Sequence, residues 1–442
     1  MKKKALTAHG LILVLIMTFL TSHALAQEEI IILHTNDLHG ESLARIGSIV
    51  AELRKAHPDL LLVDGGDLFS GTPVSNLFQG QAEQTSIFTL GFDALALGNH
   101  DFDFGRDTLE RSLEAGVPWL AANIFKEDGT TLAPPFLIKE VGQVRVLLVG
   151  LCTPSTTRMS FPRNVEGLSF ADPTSILKQV LHEQQDAYDL CVVLSHLGYG
   201  EDLLLAQRVP GITAIVGGHS HTTLSKPVRI KDTIITQAGS SSKYLGKITI
   251  SIEEGYPARG ELLPIDEKTP VHPTIAYIDD YYEAVLAAEM DQVIGHAPRA
   301  YVKNSVGLLL NEALLHFSGA DAALYNSGGV RTGLPQGAVT KRDVFAVEPF
   351  GNQAVLVTLS GPDFAELLKA KASRSSDFYH GPRLIDLDRS YTVVTSDFLT
   401  SEGSSYPMLA QEEILYLGST VREVLQDYLR DHFLEQIKEG AQ

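Results

Sequence analysis

Five short stretches of this chain gather side chains that bind metal ions or move protons. The densest is Leu97-Gly98-Asn99-His100-Asp101-Phe102-Asp103-Phe104-Gly105, which follows the apolar run Phe92–Leu97. It sets an amide, an imidazole and two carboxylates within five residues, with glycines on either side. Such a group at a buried strand end is costly unless a ligand or a full set of partners meets it. His34-Thr35-Asn36-Asp37-Leu38-His39-Gly40 follows Ile30–Leu33. Its Asp37 and His39 are two apart, so on an extended chain they point to one side, as two donors to one ion must. Leu62-Val63-Asp64-Gly65-Gly66-Asp67 closes another apolar run, and its paired glycines let the backbone turn so that Asp67 projects. Leu194-Ser195-His196-Leu197-Gly198 and Gly217-Gly218-His219-Ser220-His221 complete the set, the last repeating the alternate-residue spacing.

Taken singly, each stretch has an ordinary explanation. Asp67 ahead of a helix reads as a cap, and His196 as a hydrogen-bonded structural histidine. Together they do not, because successive strands of an open α/β sheet deliver their carboxyl ends to one edge, where ligands bind. Five such ends loaded with Asp, Asn and His point to a dinuclear metal site. Mixed nitrogen and oxygen donors suit Zn²⁺, Mn²⁺ or Co²⁺ better than a thiolate-dependent metal.

The elements that must position these residues follow from periodicity. Ile30–Leu33, Leu60–Val63, Phe92–Leu97, Val144–Leu151, Leu190–Leu194, Ile212–Val216 and Ile234–Thr236 read as strands. Gly47–Lys55, Ala82–Leu90, Asp107–Glu114, Pro173–Gln184 and Asp202–Gln207 read as helices. Strands this apolar imply a sheet covered on both faces, and the alternation implies an α/β or mixed sandwich. The composition shifts near Glu267–Pro273, and Ile275–Met290 reads as a helix joining two domains. Beyond it come helix Gly307–His316, a glycine-rich loop at Asn326–Gly329, strand Ala354–Leu359, helix Pro362–Ala372, strand Tyr391–Ser396 and helix Val421–Ile437.

A length of 442 residues favours two domains over one core. Met1-Lys2-Lys3-Lys4, the apolar run Leu11–Leu20 and Ala24-Leu25-Ala26 have the order of a secretory signal peptide, with cleavage expected after Ala26. The run is too short for a comfortable membrane span, so no stable membrane anchor is expected. The short basic start suggests bacterial export, to the periplasm or beyond. Cys152 and Cys191 are read as buried thiols, with a single bridge between them the less favoured alternative. The formal charge is −19, and −22 once Lys2, Lys3 and Lys4 are removed, which argues against nucleic acid as the main partner. A small phosphate substrate stays compatible, since bound metal ions reverse the sign of one cleft.

The ordered set Asp37-x-His39, Gly66-Asp67, Gly98-Asn99-His100-Asp101, His196 and Gly218-His219-x-His221 resembles the calcineurin-like metallophosphoesterase superfamily. Asn326-Ser327-Gly328-Gly329-Val330-Arg331 and Pro349-Phe350-Gly351-Asn352 resemble the C-terminal domain of the 5′-nucleotidase family. The resemblance implies a four-layer α/β sandwich over 27–268, a linker helix over 269–296 and a smaller α+β substrate-binding domain over 297–442, after a signal peptide over 1–26. It implies that Asp37, His39 and His221 bind one ion, that Asn99, His196 and His219 bind the other, and that Asp67 bridges them. His100 becomes a catalytic residue paired with Asp103. Asn326 and Arg331 contact the substrate, and Phe350 with Tyr406 opposite sandwiches a nucleobase. Asp101, Asp64 and His34 are left to the fold.

The implied activity is hydrolysis of nucleoside 5′-monophosphates, with a small nucleotide as the partner. Alternatives are a 2′,3′-cyclic-nucleotide phosphodiesterase, a UDP-sugar hydrolase, a thiosulfohydrolase of sulfur oxidation, or a nucleotide-binding protein with structural metals. Two departures bear on the substrate. Relatives carry an arginine near a Gly-Asn-Leu turn where this chain has Gly307-Leu308-Leu309, with only Arg299 and Lys303 nearby. A Gly-Gly-Asp-Gly-Phe loop is replaced by Ser401-Glu402-Gly403-Ser404-Ser405-Tyr406.

Overall fold

The computed structural model describes residues 29–401, 404–410 and 414–439. The expected signal peptide over 1–26 lies outside the described residues. The first unit is built on two six-stranded sheets. One runs in the order Ala258–Pro264, Tyr244–Ser251, Glu29–Thr35, Leu61–Asp64, Ala94–Ala96, Trp119–Leu120. The other runs Val228–Ile230, Thr233–Thr236, Ala214–Gly217, Leu190–His196, Val144–Cys152, Phe136–Val141. Their central strands are parallel.

The unbroken apolar runs have a simple cause. In Glu29–Thr35, Ile30 and Ile32 face the second sheet, where Val146, Leu148, Val192 and Leu194 meet them. Ile31 and Leu33 face the other way, against helix residues Ile46, Val50, Ile87 and Leu109. The second sheet repeats this, with Leu147, Val149 and Val193 turned to Leu177, Val180 and Leu205. A strand buried on both faces has no place for polar alternation. The result is four layers, helix, sheet, sheet, helix, as the resemblance implied. The antiparallel additions Tyr244–Ser251 and Ala258–Pro264 were not expected from the sequence. Ala258–Pro264 is a half-exposed edge strand, and lacks the apolar run that marks the central ones. Both cysteines are free and buried.

The second unit holds a five-stranded sheet in the order Phe378–His380, Ala322–Tyr325, Ser390–Ser396, Gln353–Ser360, Leu415–Thr420. Helices Lys303–Ser318 and Val421–Glu439 cover one face, where Leu310, Leu314 and Leu425 meet Tyr325 and Val394. Helix Gly361–Ser373 covers the other, through Phe364 and Leu367. Strand Val293–Ala297 pairs with Gly337–Thr340 of this unit. The connector helix Pro273–Met290 buries Ile275 and Ile278 in the first unit's core. Its far end, Leu286 and Met290, meets Phe345 of the second.

Candidate metal centre and substrate cleft

All five strand ends converge at one edge. In register, Thr35 lies beside Asp64, Cys152 beside His196 and Ser195 beside Gly217. Backbone bonds then tie the loops together. Asp37 N donates to Gly66 O at 2.9 Å and His39 N to Asp67 O at 3.0 Å. Asp101 is the clamp. Its two oxygens accept from the backbone N–H groups of Gly98, Asp67, Leu68 and Phe69 at 2.8 to 3.1 Å. That use of all its acceptor capacity makes it a structural residue. Gly98 is required for approach, because a Cβ there would lie 2.1 Å from Asp67 Oδ1.

Asp37, His39, Asp67, His219 and His221 all have φ between 51° and 72°. Five of the seven expected ligands therefore sit in the left-handed region, each at about 1 kcal/mol or more. Strain of this kind persists where the surrounding bonds over-determine it, and it gathers at functional sites.

The side chains meet as donors to a shared point. Asp37, His39 and His221 form one group of ligand atoms within 4.8 Å of one another, and Asp37, Asp67 and His196 form a second. His39 Nε2 and His221 Nε2 are 3.1 Å apart. His196 Nδ1 lies 2.8 Å from the Gly65 carbonyl, so it donates there and leaves Nε2 with its lone pair. That Nε2 is buried and lacks a hydrogen bond, although Asp67 Oδ2 lies 3.1 Å away. Asn36 Nδ2 donates to Asp37 Oδ2 at 2.7 Å and the His219 backbone N–H donates to Oδ1 at 2.9 Å, which fixes the carboxylate at the site and leaves a lone pair on each oxygen. His219 Nδ1 lies 2.9 Å from Asn99 Oδ1. This donor set fits a divalent metal: converging oxygens and imidazole nitrogens, one of them a buried orphan.

Electrostatics divide these groups: burial opposes protonation of His196, but Asp67 and Asp37 overcome it and raise the imidazole to about 10, so coordination through Nε2 requires a cation to displace its proton. Burial opposes ionisation of Asp67, but His196, His100 and His39 around it hold the carboxyl well below its usual range. Burial drives His39 down to about 3 and His219 to about 4, keeping both imidazoles neutral and able to coordinate. Burial also pushes Asp37 up to about 7, which a divalent cation beside it would reverse.

His100 does not join the cradle through its ring. Its backbone N–H donates to Asp67 Oδ1 at 2.8 Å, while its Nδ1 meets Asp103 Oδ2 at 2.8 Å. Burial opposes protonation, but Asp103 and Asp67 overcome it and raise the imidazole to about 9. His100 is thus held protonated near neutral pH, with its Nε2 unclaimed by Asp103.

Two cavities meet at this histidine. One, of about 160 Å³, is lined by His39, His100 and His221 together with Arg331, Pro349 and Phe350. The other, of about 380 Å³, extends between the two units past Asn326, Phe345 and Phe398. Phe350 sits at the join. Its ring lies 6.2 Å from that of His100, tilted by 25°, and Arg331 Cζ is 5.7 Å from its centre. Asn326 also lines the larger cavity, and its buried Oδ1 has no hydrogen-bond partner among the described residues.

Tyr406 is a correction. Its ring is fully buried beside Leu399 and Leu409, and its hydroxyl donates to Asp377 Oδ2 at 2.8 Å. It belongs to the core and cannot face a nucleobase opposite Phe350. The aromatic that lines the cleft from this part of the chain is Phe398, and Phe161 and Met159 line it from the first unit. Sequence reading passed over these three because no motif marks them. It also passed over Asn76, whose Nδ2 donates to Pro349 O at 2.6 Å across the units. Arg422 was missed as well. It donates to the carbonyls of Glu348 and Pro349 and stacks 4.4 Å over Phe345.

The four-layer sandwich with a metal-binding edge and a histidine–aspartate pair beside it defines a metallophosphoesterase. Residues 30–223 match the calcineurin-like phosphoesterase family, and residues 292–382 match the 5′-nucleotidase C-terminal domain. The chain thus carries a metallophosphoesterase domain followed by a 5′-nucleotidase-type C-terminal domain, and is a phosphoester hydrolase. It is 26% identical to a 5′-nucleotidase of Vibrio cholerae over 494 residues, covering 90% of this chain and 89% of the other. A crystal structure of a 5′-nucleotidase precursor from Thermus thermophilus superposes with a TM-score of 0.83 at 26% identity, covering 92% and 97% of the two chains. A sulfate thiohydrolase of Thermus thermophilus shares the fold, with a TM-score of 0.75 at 19% identity and coverage of 91% and 94%.

Proposed function

We propose that this chain is an exported, dinuclear 5′-nucleotidase that hydrolyses nucleoside 5′-monophosphates to nucleoside and phosphate. The observation that carries the reading is the junction at His100, where the metal cradle opens directly onto a cleft walled by Arg331 and Phe350. Asp37, His39 and His221 would hold one ion, Asn99, His196 and His219 the other, with Asp67 between them. Zn²⁺, Mn²⁺ or Co²⁺ suits such donors. A bound pair supplies an activated water and neutralises phosphoryl oxygens during in-line displacement. The residues do the rest. Arg331 binds the phosphate, Phe350 stacks on the base, and Asn326 offers Oδ1 as an acceptor to the sugar or base. His100, oriented by Asp103, donates a proton to the leaving oxygen.

The expected signal peptide supports export to the periplasm or beyond. No helix among the described residues is long and apolar enough to cross a membrane. Net negative charge supports a small nucleotide over a nucleic acid as the partner. The burial of Tyr406 favours a second reading, a broader phosphoesterase, because Phe350 lacks the aromatic partner first expected of it. The test is phosphate release over AMP, other 5′-monophosphates, ATP, UDP-glucose and 2′,3′-cyclic AMP, with each metal in turn. The highest kcat/KM is expected on a 5′-monophosphate. A higher value on the cyclic diester or the UDP-sugar would overturn the assignment in favour of the second reading.

A further inference from the structure

Away from the metal cradle, a separate cavity of about 180 Å³ lies under the connector helix Pro273–Met290. Its other walls are the loop from Gly40 to Leu43 and the start of helix Gln81–Leu90. The ionisable residues that line it are all acidic: Glu41, Glu83, Asp279 and Glu283. Hydroxyls of Ser42, Thr72 and Ser86 accompany them, and no imidazole does.

Glu83 is the decisive residue. It is 5% exposed, and its Oε2 has no hydrogen-bond partner among the described residues. It occupies the first turn of its helix, where the backbone favours an ionised carboxylate, but burial outweighs this and pushes the carboxyl up to about 7, so a cation is what would hold it ionised. A charged oxygen left bare in a buried cavity is costly without a counter-charge. Asp279 faces the same space, held at its Oδ2 by the Ser42 hydroxyl at 2.5 Å. Glu283 follows it at i+4 on the connector helix, a like-charge spacing that destabilises a helix when nothing lies between. Arg342 takes Glu283 Oε2 at 2.9 Å from the second unit, so no basic group is left to neutralise Glu83 and Asp279 from inside the cavity.

We propose that this cavity binds a hard divalent cation, Mg²⁺ or Ca²⁺, through Glu83 and Asp279, with serine hydroxyls and retained water completing its shell. All-oxygen surroundings select such ions, whereas the histidine-rich cradle selects softer ones. The volume admits an ion that keeps part of its hydration. Binding fastens the connector helix to the first unit. Through Glu283 to Arg342, and Met290 to Phe345, it also steadies the second.

The test uses full-length protein with its cradle loaded with Mn²⁺, titrated with CaCl₂ and separately with MgCl₂ by calorimetry and thermal melting. One further equivalent should bind, raising Tm by about 2 °C or more at saturation. Glu83→Gln and Asp279→Asn should each remove that step while leaving phosphatase turnover unchanged. The step should persist in Asp67→Asn, since it does not involve the cradle. Absence of binding at millimolar excess would overturn the proposal, as would binding that survives in both cavity variants or vanishes in Asp67→Asn. Unmodified protein that binds no further equivalent, with Glu83→Gln melting higher than it in millimolar cation, would mark Glu83 as a buried neutral acid instead.

Discussion

Asp37, Asp67, Asn99 and His196 in the metal cradle are at most 1% exposed, whereas Arg331 in the substrate cleft is exposed and Phe350 only half-buried. The cradle hangs from the ends of parallel strands, and its backbone is locked in left-handed turns by bonds such as Asp37 N to Gly66 O. The cleft is made of loops and helix ends from two units, and its lining residues lie on six or more separate segments. His100 belongs to both, through its backbone bond to Asp67 and its ring beside Phe350. The difference is one of tolerance. A cradle that must place several donors on one ion within tenths of an ångström cannot change a residue without losing the ion. A cleft that recognises a base through its π-face can exchange one aromatic for another and still work.

The sharpest test of that contrast is Asp67→Asn. Its carboxylate lies 3.1 Å from His196 Nε2 and 3.9 Å from His39 Nε2, so on the proposed reading the variant should lose metal and turnover together, by more than the roughly 10²–10³-fold of a single lost electrostatic contact. Metal analysis beside kcat measures it, and a metal-free but active variant would break the picture. His100→Asn comes next. Turnover should fall on the order of 10²–10⁴-fold with metal content unchanged. If metal is lost instead, His100 is part of the cradle and not its neighbour.

Asp103→Asn refines the same point through pH. The raised His100 is protonated below about 9 and loses its proton above it, so activity that needs the imidazolium falls on the alkaline side. Removing Asp103 takes away the leading charge that raises it, and the alkaline limb of the kcat profile should move to lower pH. An unmoved limb would assign it to another group.

On the cleft side the effects are smaller. Phe350→Ala should raise KM for nucleotides by roughly 5- to 100-fold, the value of one stacked base, and change KM for a simple phosphate ester far less. Tyr406→Phe is the smallest. It loses the bond to Asp377, worth about 0.5–1.5 kcal/mol, and should lower Tm slightly with KM unchanged. A rise in nucleotide KM there would return Tyr406 to the cleft.

The same contrast explains what could be read before the structure was seen. Asp37-x-His39 and His219-x-His221 announce themselves because ligands on one strand end must keep a two-residue spacing. Asp101 was rightly left to the fold, and its four backbone acceptor bonds give the reason. Tyr406 was misread because a motif position carries no information on burial. Its neighbours Leu399 and Leu409 drew the ring inward. Phe161, Phe398 and Arg422 were silent, since their only shared property is a position in space. The edge strand Ala258–Pro264 was missed because a half-exposed strand lacks the apolar run that marked the central ones, and Tyr244–Ser251 because Gly246 and Lys247 interrupt its apolar pattern.

By itself the sequence determined the sandwich class and marked the strand ends where candidate ligands gather. These rest on local patterns, apolar runs and donor spacing, that survive in one dimension. Tertiary structure alone decided which aromatics wall the cleft and that His100 joins it to the metals. It also placed Glu83 in a cavity with a bare oxygen beneath the connector helix. Each of these depends on distant segments meeting, and the register of such meetings is set by packing of the whole core and not by any one stretch of chain.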